Sequence, residues 1–309
     1  LFSYKFLNYW KPTIAIFVES EIWPSIFRAL NKKSIPLKLL NARITKKTFN
    51  KWMCVKKFSN SVFQNISIAY PQNEETLNYL KKLNVKKIKK IGNLKFFNNQ
   101  QSKLTKLDNT FLKNINLKKI WCASSTHPGE EIICADVHTN LKKKYKNLLT
   151  IIIPRHIHRV NKIVNEIKSL DLNIVLHSSR PKKLNNTDIY LVDTYGETQK
   201  FYQSSHIVFM GKSISGKGGQ NPLEPTNLGS TVLYGPNVDN FKDTYKLLNK
   251  LKVAHKVNGV KSLTQSIDKL ITKPNNKKNY LKIAKMGKKI LNETKDEINS
   301  LFNNEIKKT

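Results

Sequence analysis

The chain has 309 residues, which is more than one hydrophobic core usually holds, so two domains are expected. Its 55 lysines and arginines outnumber 21 aspartates and glutamates, and the resulting net charge of +34 raises the question of a nucleic-acid partner. Because lysine is spread along the whole chain without a zinc-finger, RNP-type or basic-helix pattern, a nucleic acid is disfavoured, and an anionic membrane surface or a phosphorylated substrate fits the diffuse positive field better.

The sequence opens with alternating helical and strand patterns. An amphipathic helix is predicted to end at Trp10, and the apolar run 14–18 predicts a strand buried on both faces. Glu19 and Glu21 follow that strand, at the position where open α/β sheets place ligands. The alternative is that these glutamates are helix N-terminal acids favoured by the helix dipole. A second strand is expected over 37–40.

Arg43 follows the second strand, and it is interpreted either as a ligand for a carboxylate or phosphate or as a surface charge. The next patterns predict a helix over 45–57, a strand region over 61–69 and a strand over 86–91. Lys95 comes just after the last of these strands and a glycine turn. Only that position distinguishes it from the many other lysines.

The polar stretch 98–110 is predicted to be a domain linker. After it, the patterns predict strands over 119–123, 148–153, 173–176, 189–192, 206–210 and 231–234, with helices between them. The hydroxyl-rich turn 124–131 either caps a helix or holds a phosphate. Pro154 and Arg155 follow the second of these strands, where a guanidinium can bind a phosphate through two hydrogen bonds. The lysine-rich tail after Pro274 predicts a long helix with one apolar face.

The most informative stretch, 211–236, joins a glycine-rich turn to a helix start and a strand. Its glycines permit positive φ and a close approach to a ligand. Asn221 is the predicted N-cap, Pro222 the first helical residue, and Glu224 the acidic partner of a capping box. Free N–H groups at such a helix start suit an anion such as phosphate, and an ordinary capped loop is the alternative.

Two successive α/β blocks joined by a linker predict two doubly wound domains that face a cleft. The three cysteines, Cys54, Cys122 and Cys134, are widely spaced and odd in number, which argues against a disulfide framework or a zinc site and indicates a reducing compartment. No apolar run approaches the roughly 18 residues that span a bilayer. Because the chain opens in what reads as mid-domain, we expect a fragment whose targeting element lies upstream.

Eight motifs occur in order along the chain: ESEIWPS, LLNARIT, QNEE, GNLKF, ASSTHPGEE, IIIPRH, DTYGE and GGQNPLEP. Together they resemble the bacterial 3-deoxy-D-manno-octulosonic-acid (Kdo) transferases of glycosyltransferase family 30. The resemblance covers nearly the whole chain. It implies an α/β GT-B fold, with two Rossmann-like, doubly wound domains facing a cleft, of which the first is incomplete here. Residues 1–112 would then belong to the acceptor-binding domain, and residues 113–309 to the CMP-sugar donor domain with its C-terminal helices.

The resemblance also implies a function. Family members transfer Kdo from CMP-Kdo to lipid IVA, the lipid A precursor, during lipopolysaccharide synthesis at the cytoplasmic face of the inner membrane. The implied partners are therefore this donor, this acceptor and the anionic membrane surface, without a cofactor, a metal or a nucleic acid. In the family a membrane anchor and a glycine-rich motif with the proposed catalytic Glu precede the part matched here, so we expect this fragment alone to be inactive.

The family's site residues carry over to this sequence by motif. Glu19 and Lys95 match two residues that are taken as transition-state stabilisers. The positions that match CMP contacts are Pro154, Arg155, Tyr195, Gly196, Glu197, Asn221, Pro222, Leu223 and Glu224. Two departures from the family pattern are Tyr195, which is often Met, and Gln220, which is often His. The alternatives are a GT-B transferase that uses a UDP sugar and, from a different class, a basic nucleic-acid-binding protein.

Overall fold

The computed structural model of the chain describes residues 2–97, 107–273 and 277–306. Most of the predicted linker, 98–110, lies outside these residues. The chain divides into two compact units, the first formed by Leu1–Phe97 with Lys285–Thr309 and the second by Asn98–Ala284.

The first unit holds a small parallel sheet with the strand order β1-β2-β3. Its elements in chain order are α1 (Phe2–Trp10), β1 (Ala15–Val18), α2 (Pro24–Lys32), β2 (Leu37–Ala42), α3 (Lys46–Cys54), α4 (Lys56–Phe63), β3 (Ile68–Pro71) and α5 (Glu74–Lys82). The core forms where α2 and α4 cover one face of the sheet, with Phe27, Leu39 and Phe63 fully buried. This parallel arrangement confirms the predicted class of the first block.

Three details of the first unit differ from the prediction. The strand expected to be buried on both faces alternates instead, because Phe17 packs edge-on against Phe27 while Ile16 and Val18 remain 36% and 45% exposed. Within the described residues, helices cover only one face of β1. The strand predicted from residue 61 is also wrong over its first part, where Phe63 ends α4 instead. The strand predicted over 86–91 is reduced to a single parallel bridge between Ala69 and Ile88.

The second unit is a doubly wound α/β domain with a seven-stranded parallel sheet, ordered β10-β9-β8-β4-β5-β7-β6. Its elements are α6 (Asn109–Asn116), β4 (Lys119–Thr126), α7 (Glu130–Lys142), β5 (Leu148–Pro154), α8 (Val160–Lys168), β6 (Ile174–Leu176), β7 (Ile189–Leu191), α9 (Thr198–Ser204), β8 (Ile207–Met210), α10 (Leu223–Asn227), β9 (Thr231–Tyr234), α11 (Lys242–Lys250), β10 (Ala254–Lys256) and α12 (Val260–Leu270). Every residue of β5 and β8 is buried, as continuous apolar runs predict for strands covered on both faces.

The last helix, α13 (Lys277–Ile306), starts in the second unit and continues into the first. Ile283 and Ile290 are buried, which confirms the predicted apolar face. In the first unit, Tyr70 donates a hydrogen bond to Glu297 of α13 (2.8 Å), and Lys89 pairs with the same carboxylate. These contacts explain why residues after 284 group with the first unit, whereas the predicted division at 112/113 assigns the whole tail to the second domain.

The helix α6 also departs from the predicted division, because the whole helix belongs to the second unit. Its residue Phe111 packs on Tyr190 of β7 and Phe201 of α9, with ring centroids 4.8 and 6.0 Å away. Residues 107–112 therefore group with the second unit. None of the helices in the described ranges combines the length and apolarity that a bilayer span requires.

A buried polar cluster lies beneath the sheet of the second unit. His138 of α7 is fully buried, with Nδ1 2.9 Å from Thr150 Oγ1 and Nε2 3.3 Å from Asp188 Oδ1. Burial lowers the pKa of His138 and outweighs the attraction of Asp188. Burial alone would raise the pKa of Asp188, but hydrogen bonds from Lys142 and the Asn173 N–H lower it overall. The folded unit thus holds a neutral imidazole beside a charged carboxylate.

This cluster predicts a specific dependence of stability on pH. The pKa of His138 in the folded state is below the unfolded value of about 6.5. The contribution of His138 to the free energy of unfolding is therefore complete above about pH 6.5 and is lost as the pH falls below it. We expect the free energy of unfolding to fall by up to about 1.4 kcal/mol per pH unit from this residue. Denaturant unfolding between about pH 7.5 and about pH 5.5 measures the slope.

In the His138→Gln variant this part of the slope should disappear, whereas His158→Gln, which removes an exposed imidazole, should keep the wild-type slope. If the free energy of unfolding of His138→Gln depends on pH as steeply as that of the wild type, the buried imidazole does not cause the loss of stability below about pH 6.5.

Candidate functional site

The loops that follow the strands of the second unit converge at one edge of the sheet. All its strands are parallel, so their carboxyl ends share that edge, and the strand order reverses at β4, which has β5 on one side and β8 on the other. Gly211 donates its N–H to Ser124 O (2.8 Å), and Arg155 donates its N–H to Thr126 O (3.1 Å). Open α/β sheets bind ligands at such a reversal point.

Arg155 offers a free cation at this edge. Pro154 ends β5 and is buried, while the side chain of Arg155 is exposed. Among the residues that the structure describes, its guanidinium has no hydrogen-bond or ion-pair partner. A guanidinium fork held at a strand end and left unpaired is suited to a phosphate or carboxylate of a ligand.

Three imidazoles stand beside Arg155. The rings of His127 and His156 are 5.7 Å apart, and those of His156 and His158 are 5.5 Å apart. Desolvation lowers the pKa of His156, and the neighbouring His127 and His158 lower it further. These rings add hydrogen-bonding groups next to the guanidinium of Arg155, and desolvation favours the neutral form of His156. His158 was not predicted from the sequence, where a lone histidine carries little signal.

Asn221 and Glu224 occupy the start of α10. Asn221 Oδ1 accepts the N–H of Leu223 (3.1 Å), as a capping side chain does, but the helix begins at Leu223 and Pro222 is its N-cap residue. The predictions that Asn221 is the N-cap and Pro222 the first helical residue are therefore each wrong by one position. The predicted capping box is wrong in its second half, because the carboxylate of Glu224 makes no hydrogen bond or ion pair with any described residue. The carboxylate keeps access to solvent, yet partial desolvation raises its pKa. Glu224 is thus an acceptor left open for a ligand.

The glycine-rich turn differs from its prediction in one important respect. Gly218 and Gly219 adopt positive φ, at 92° and 68°, as expected. The N–H groups just before them are not free, however, because those of Lys212, Ser213, Ile214 and Ser215 all point at the carboxylate of Glu130. The prediction that this turn offers open N–H groups to a phosphate is therefore wrong for these four residues.

The triplet Tyr195–Gly196–Glu197 follows β7 at the same edge, two strands from β4. Tyr195 is 70% exposed, and Gly196 has positive φ at 83°. Glu197 Oε2 lies 2.7 Å from Lys200 Nζ and 4.0 Å from His177 Nε2. The carboxylate of Glu197 is therefore engaged locally, in contrast to that of Glu224, whereas the ring of Tyr195 is available to a ligand.

In the first unit, the structure brings Glu19 and Lys95 together. Lys95 Nζ lies 2.8 Å from Glu19 Oε1, and both side chains are about one-third exposed, at 38% and 34%. Glu19 follows β1 with a φ of +58°, a left-handed conformation that costs energy for a side-chain-bearing residue and is common at functional sites. An ion pair that is one-third exposed contributes little stability. The ion pair therefore does not by itself account for the left-handed backbone of Glu19.

A second glutamate of the ASSTHPGEE motif is buried beneath the loop after β5. Glu131 is fully buried and forms a two-pronged ion pair with Arg159, whose Nη1 and Nη2 lie 2.9 and 3.1 Å from the two carboxylate oxygens. In the sequence both glutamates belong to the turn 124–131, and no separate role was predicted for either. Their burial depends on the loops packed against them, so local patterns could not distinguish their roles.

Comparison with solved structures defines the class of fold. A UDP-GlcNAc 2-epimerase from Neisseria meningitidis, solved with UDP-GlcNAc bound, aligns with a TM-score of 0.61 over 97% of this chain and 78% of that chain, at 16% identity. At this identity the likeness shows the fold alone. It confirms the predicted α/β class, a Rossmann-like GT-B fold.

Sequence comparison then gives the family. The family model described as 3-deoxy-D-manno-octulosonic-acid transferase (kdotransferase) matches residues 1–98. A 3-deoxy-D-manno-octulosonic acid transferase from Rickettsia bellii is 33% identical over 313 residues, which cover 98% of this chain and 73% of that protein. The chain belongs to this transferase family, as its motifs predicted. It spans 64 to 73% of the length of the curated Rickettsia relatives that it matches.

The C-terminal CMP-Kdo binding domain of WaaA from Acinetobacter baumannii is also similar, with a TM-score of 0.50 and 22% identity, over 59% of this chain and 91% of that domain. At this identity the likeness shows the fold alone.

The Glu131–Arg159 pair predicts a large effect on stability. We expect Arg159→Met to lower the free energy of unfolding by about 3–5 kcal/mol, because it leaves a buried carboxylate unpaired. The double variant Glu131→Leu with Arg159→Met should recover most of that loss, since both charges are then removed. Lys162→Met is the control, because Lys162 forms only an exposed pair with Glu166 at 3.8 Å. Equal losses for Arg159→Met and Lys162→Met, measured by denaturant unfolding, would contradict the assignment.

Proposed function

We propose that this chain is part of a transferase that moves Kdo from CMP-Kdo to lipid IVA in lipopolysaccharide synthesis. The observation that carries the proposal is the pair of free, oppositely charged groups on the donor-side loops, Arg155 and Glu224, in a chain of this family. A CMP-linked sugar has one phosphate to meet a cation and a ribose diol to meet an acceptor. These two side chains supply both.

The donor site that we propose is built from the loops after β5, β7 and β8. Pro154 and Arg155 approach the phosphate, and the Asn221–Glu224 segment approaches the ribose, with the carboxylate of Glu224 accepting hydrogen bonds from the diol. Tyr195 and Gly196 lie beside the nucleotide or sugar from the β7 loop. Support for this arrangement comes from the shared strand edge and from the backbone bonds that tie the β4, β5 and β8 loops together.

The reaction is a direct displacement at the anomeric carbon of Kdo. An acceptor hydroxyl of lipid IVA forms the new C–O bond as the bond from that carbon to the CMP phosphate oxygen breaks. The proton passes to a general base, which in the family is a glutamate upstream of the matched part. Arg155 stabilises the negative charge that develops on the departing phosphate. Glu19 and Lys95 stabilise the charge that develops around the transferred sugar.

We also propose that the protein works at the anionic, cytoplasmic surface of the inner membrane. The net charge of +34 provides long-range attraction to such a surface. The helix α1 adds exposed aromatic side chains, with Phe2 89%, Tyr9 80% and Trp10 66% exposed. Aromatic residues beside lysines are typical of interfacial helices, which lie in the headgroup region.

The donor assignment predicts selective nucleotide binding by the chain. CMP should bind more tightly than UMP or UDP, as measured by calorimetry. Arg155→Ala should weaken CMP binding roughly ten- to a hundred-fold, because a charge-assisted hydrogen bond to phosphate is lost. Lys146→Ala is the matched control, since it removes one exposed positive charge near the opposite edge of the sheet. Tighter binding of UDP than of CMP would instead indicate a UDP-sugar transferase.

The catalytic assignment predicts a separate effect on turnover. In a chain extended with the amino-terminal segment of the Rickettsia bellii relative, Glu19→Gln and Lys95→Met should each lower kcat by about a hundred-fold or more, as loss of a transition-state interaction does. Neither change should alter CMP affinity. The readout is Kdo transfer from CMP-Kdo to lipid IVA. Wild-type turnover in both variants would remove these two residues from the mechanism.

A further inference from the structure

The carboxylate of Glu130 sits inside a cradle of backbone N–H groups. Its side chain is fully buried at the first turn of α7. Oε2 accepts the N–H groups of His127 (3.0 Å) and Lys212 (2.7 Å). Oε1 accepts those of Ser213 (3.0 Å), Ile214 (3.0 Å) and, at a longer 3.4 Å, Ser215. Successive N–H groups that converge in this way form a nest, the backbone arrangement that elsewhere binds phosphate.

A carboxylate suits this cradle better than any other side chain of its size. It is an acceptor only, and its two oxygens provide about four lone-pair sites for the converging donors. A glutamine of the same shape would turn an NH₂ group toward N–H groups, and would leave buried donors unpaired. The five bonds also join two loops, since His127 belongs to the loop after β4 and the other four donors to the loop after β8.

The backbone around the cradle is strained on both sides. Ser125 and Lys212 have left-handed φ values of +55° and +57°. Gly211 lies so close to the β4 loop that a Cβ there would fall 2.4 Å from Ser125 O. Strained backbone persists only where its surroundings hold it in place. The bonds to Glu130 are the contacts that hold this segment from the α7 side.

The far side of the same loop rests on the segment after β9. Gly235 donates its N–H to Ser213 Oγ (2.9 Å), and Asn237 donates its side-chain N–H to Ile214 O (2.9 Å). Loss of Glu130 would therefore free one side of the loop and leave the other attached. A local change in the loop is expected, without unfolding of the sheet.

We propose that Glu130 is a positioning residue for the donor site. Its carboxylate takes the place of an anion in the nest, and so fixes the segment 212–215 that leads to Asn221 and Glu224. The link to CMP rests on the proposed function, whereas the hold of Glu130 on the loop does not. The residue itself contacts neither donor nor acceptor in this proposal.

The test uses Glu130→Gln in the whole chain, with Glu166→Gln as a control that removes one charge on the surface of α8. Amide hydrogen exchange followed by mass spectrometry should show residues 212–215 exchanging at least about ten-fold faster in Glu130→Gln, with β8 still protected. CMP affinity, measured by calorimetry, should fall at least about ten-fold. The control should match the wild type in both measurements.

Glu130→Ala separates positioning from a general loss of structure. This variant leaves room for a small anion, so about 0.1 M formate should restore both slow exchange and CMP affinity. Formate should not rescue Glu130→Gln, whose amide fills the space. If Glu130→Gln does not fold, Glu130→Asp replaces it, and its shorter side chain should give an intermediate loss.

Wild-type exchange and wild-type CMP affinity in Glu130→Gln, or in its replacement Glu130→Asp, would overturn the proposal. Absence of rescue of Glu130→Ala by formate would also overturn it. If the wild-type chain does not bind CMP at all, the proposed function fails, and the exchange measurements alone decide whether Glu130 holds the loop.

Discussion

The second unit depends on how buried negative charge is neutralised at the first turn of α7. Two adjacent carboxylates, Glu130 and Glu131, are both fully buried there, and each would be costly if left without partners. One is met by backbone N–H groups of the β8 loop, and the other by the guanidinium of Arg159. The same two interactions that compensate for burial thus fix the loops on both sides of β4. Stability and site geometry are consequently set by the same bonds.

This arrangement separates the groups that build the site from those that are left for a ligand. Glu130, Glu131 and Arg159 are satisfied within the fold. Arg155 and Glu224, within the described part of the chain, are not. The two sets alternate closely along the sequence, with Arg155 only four residues before Arg159. Few substitutions of Glu130, Glu131 or Arg159 should be tolerated, because a change in these residues moves the loops that carry Arg155 and Glu224.

The sequence predicted most of the elements, and its failures have physical causes. The run 148–153 predicted a buried strand and 206–210 predicted a strand, and every residue of the observed strands β5 and β8 is buried. The run at 14–18 has the same pattern, yet Ile16 and Val18 are exposed, since a pattern reports the preference of the side chains and not what covers them. Glu224 failed as a capping residue for a related reason. The spacing of Asn221 and Glu224 in the sequence permits a capping hydrogen bond, but the conformation of the loop and of the side chain decides whether that bond forms.

The site was predicted residue by residue from motifs, and the structure adds which partners those residues have. Glu19 and Lys95 are 76 positions apart, and only the fold brings their charged ends within 2.8 Å. The role of Glu130 could not be predicted, because its five partners come from two loops, and the most distant partner, Ser215, lies 85 residues further along the sequence. No local spacing encodes such a contact, although its position after Gly129, where the chain turns with positive φ, is a local signal for a helix start.

The filled nest also explains why a glycine-rich loop at this position need not bind a phosphate itself. Its N–H donors at 212–215 are already paired with a carboxylate inside the protein, so in the proposed function a donor phosphate is met by side-chain charge instead of by these N–H groups. The guanidinium of Arg155, which has no hydrogen-bond or ion-pair partner among the described residues, provides a fixed positive charge for this purpose. A nucleotide with one phosphate needs less compensation than one with two. In the proposed site, the backbone N–H groups of 212–215 therefore hold the loop rigid through Glu130, and the side chain of Arg155 is left to bind the ligand.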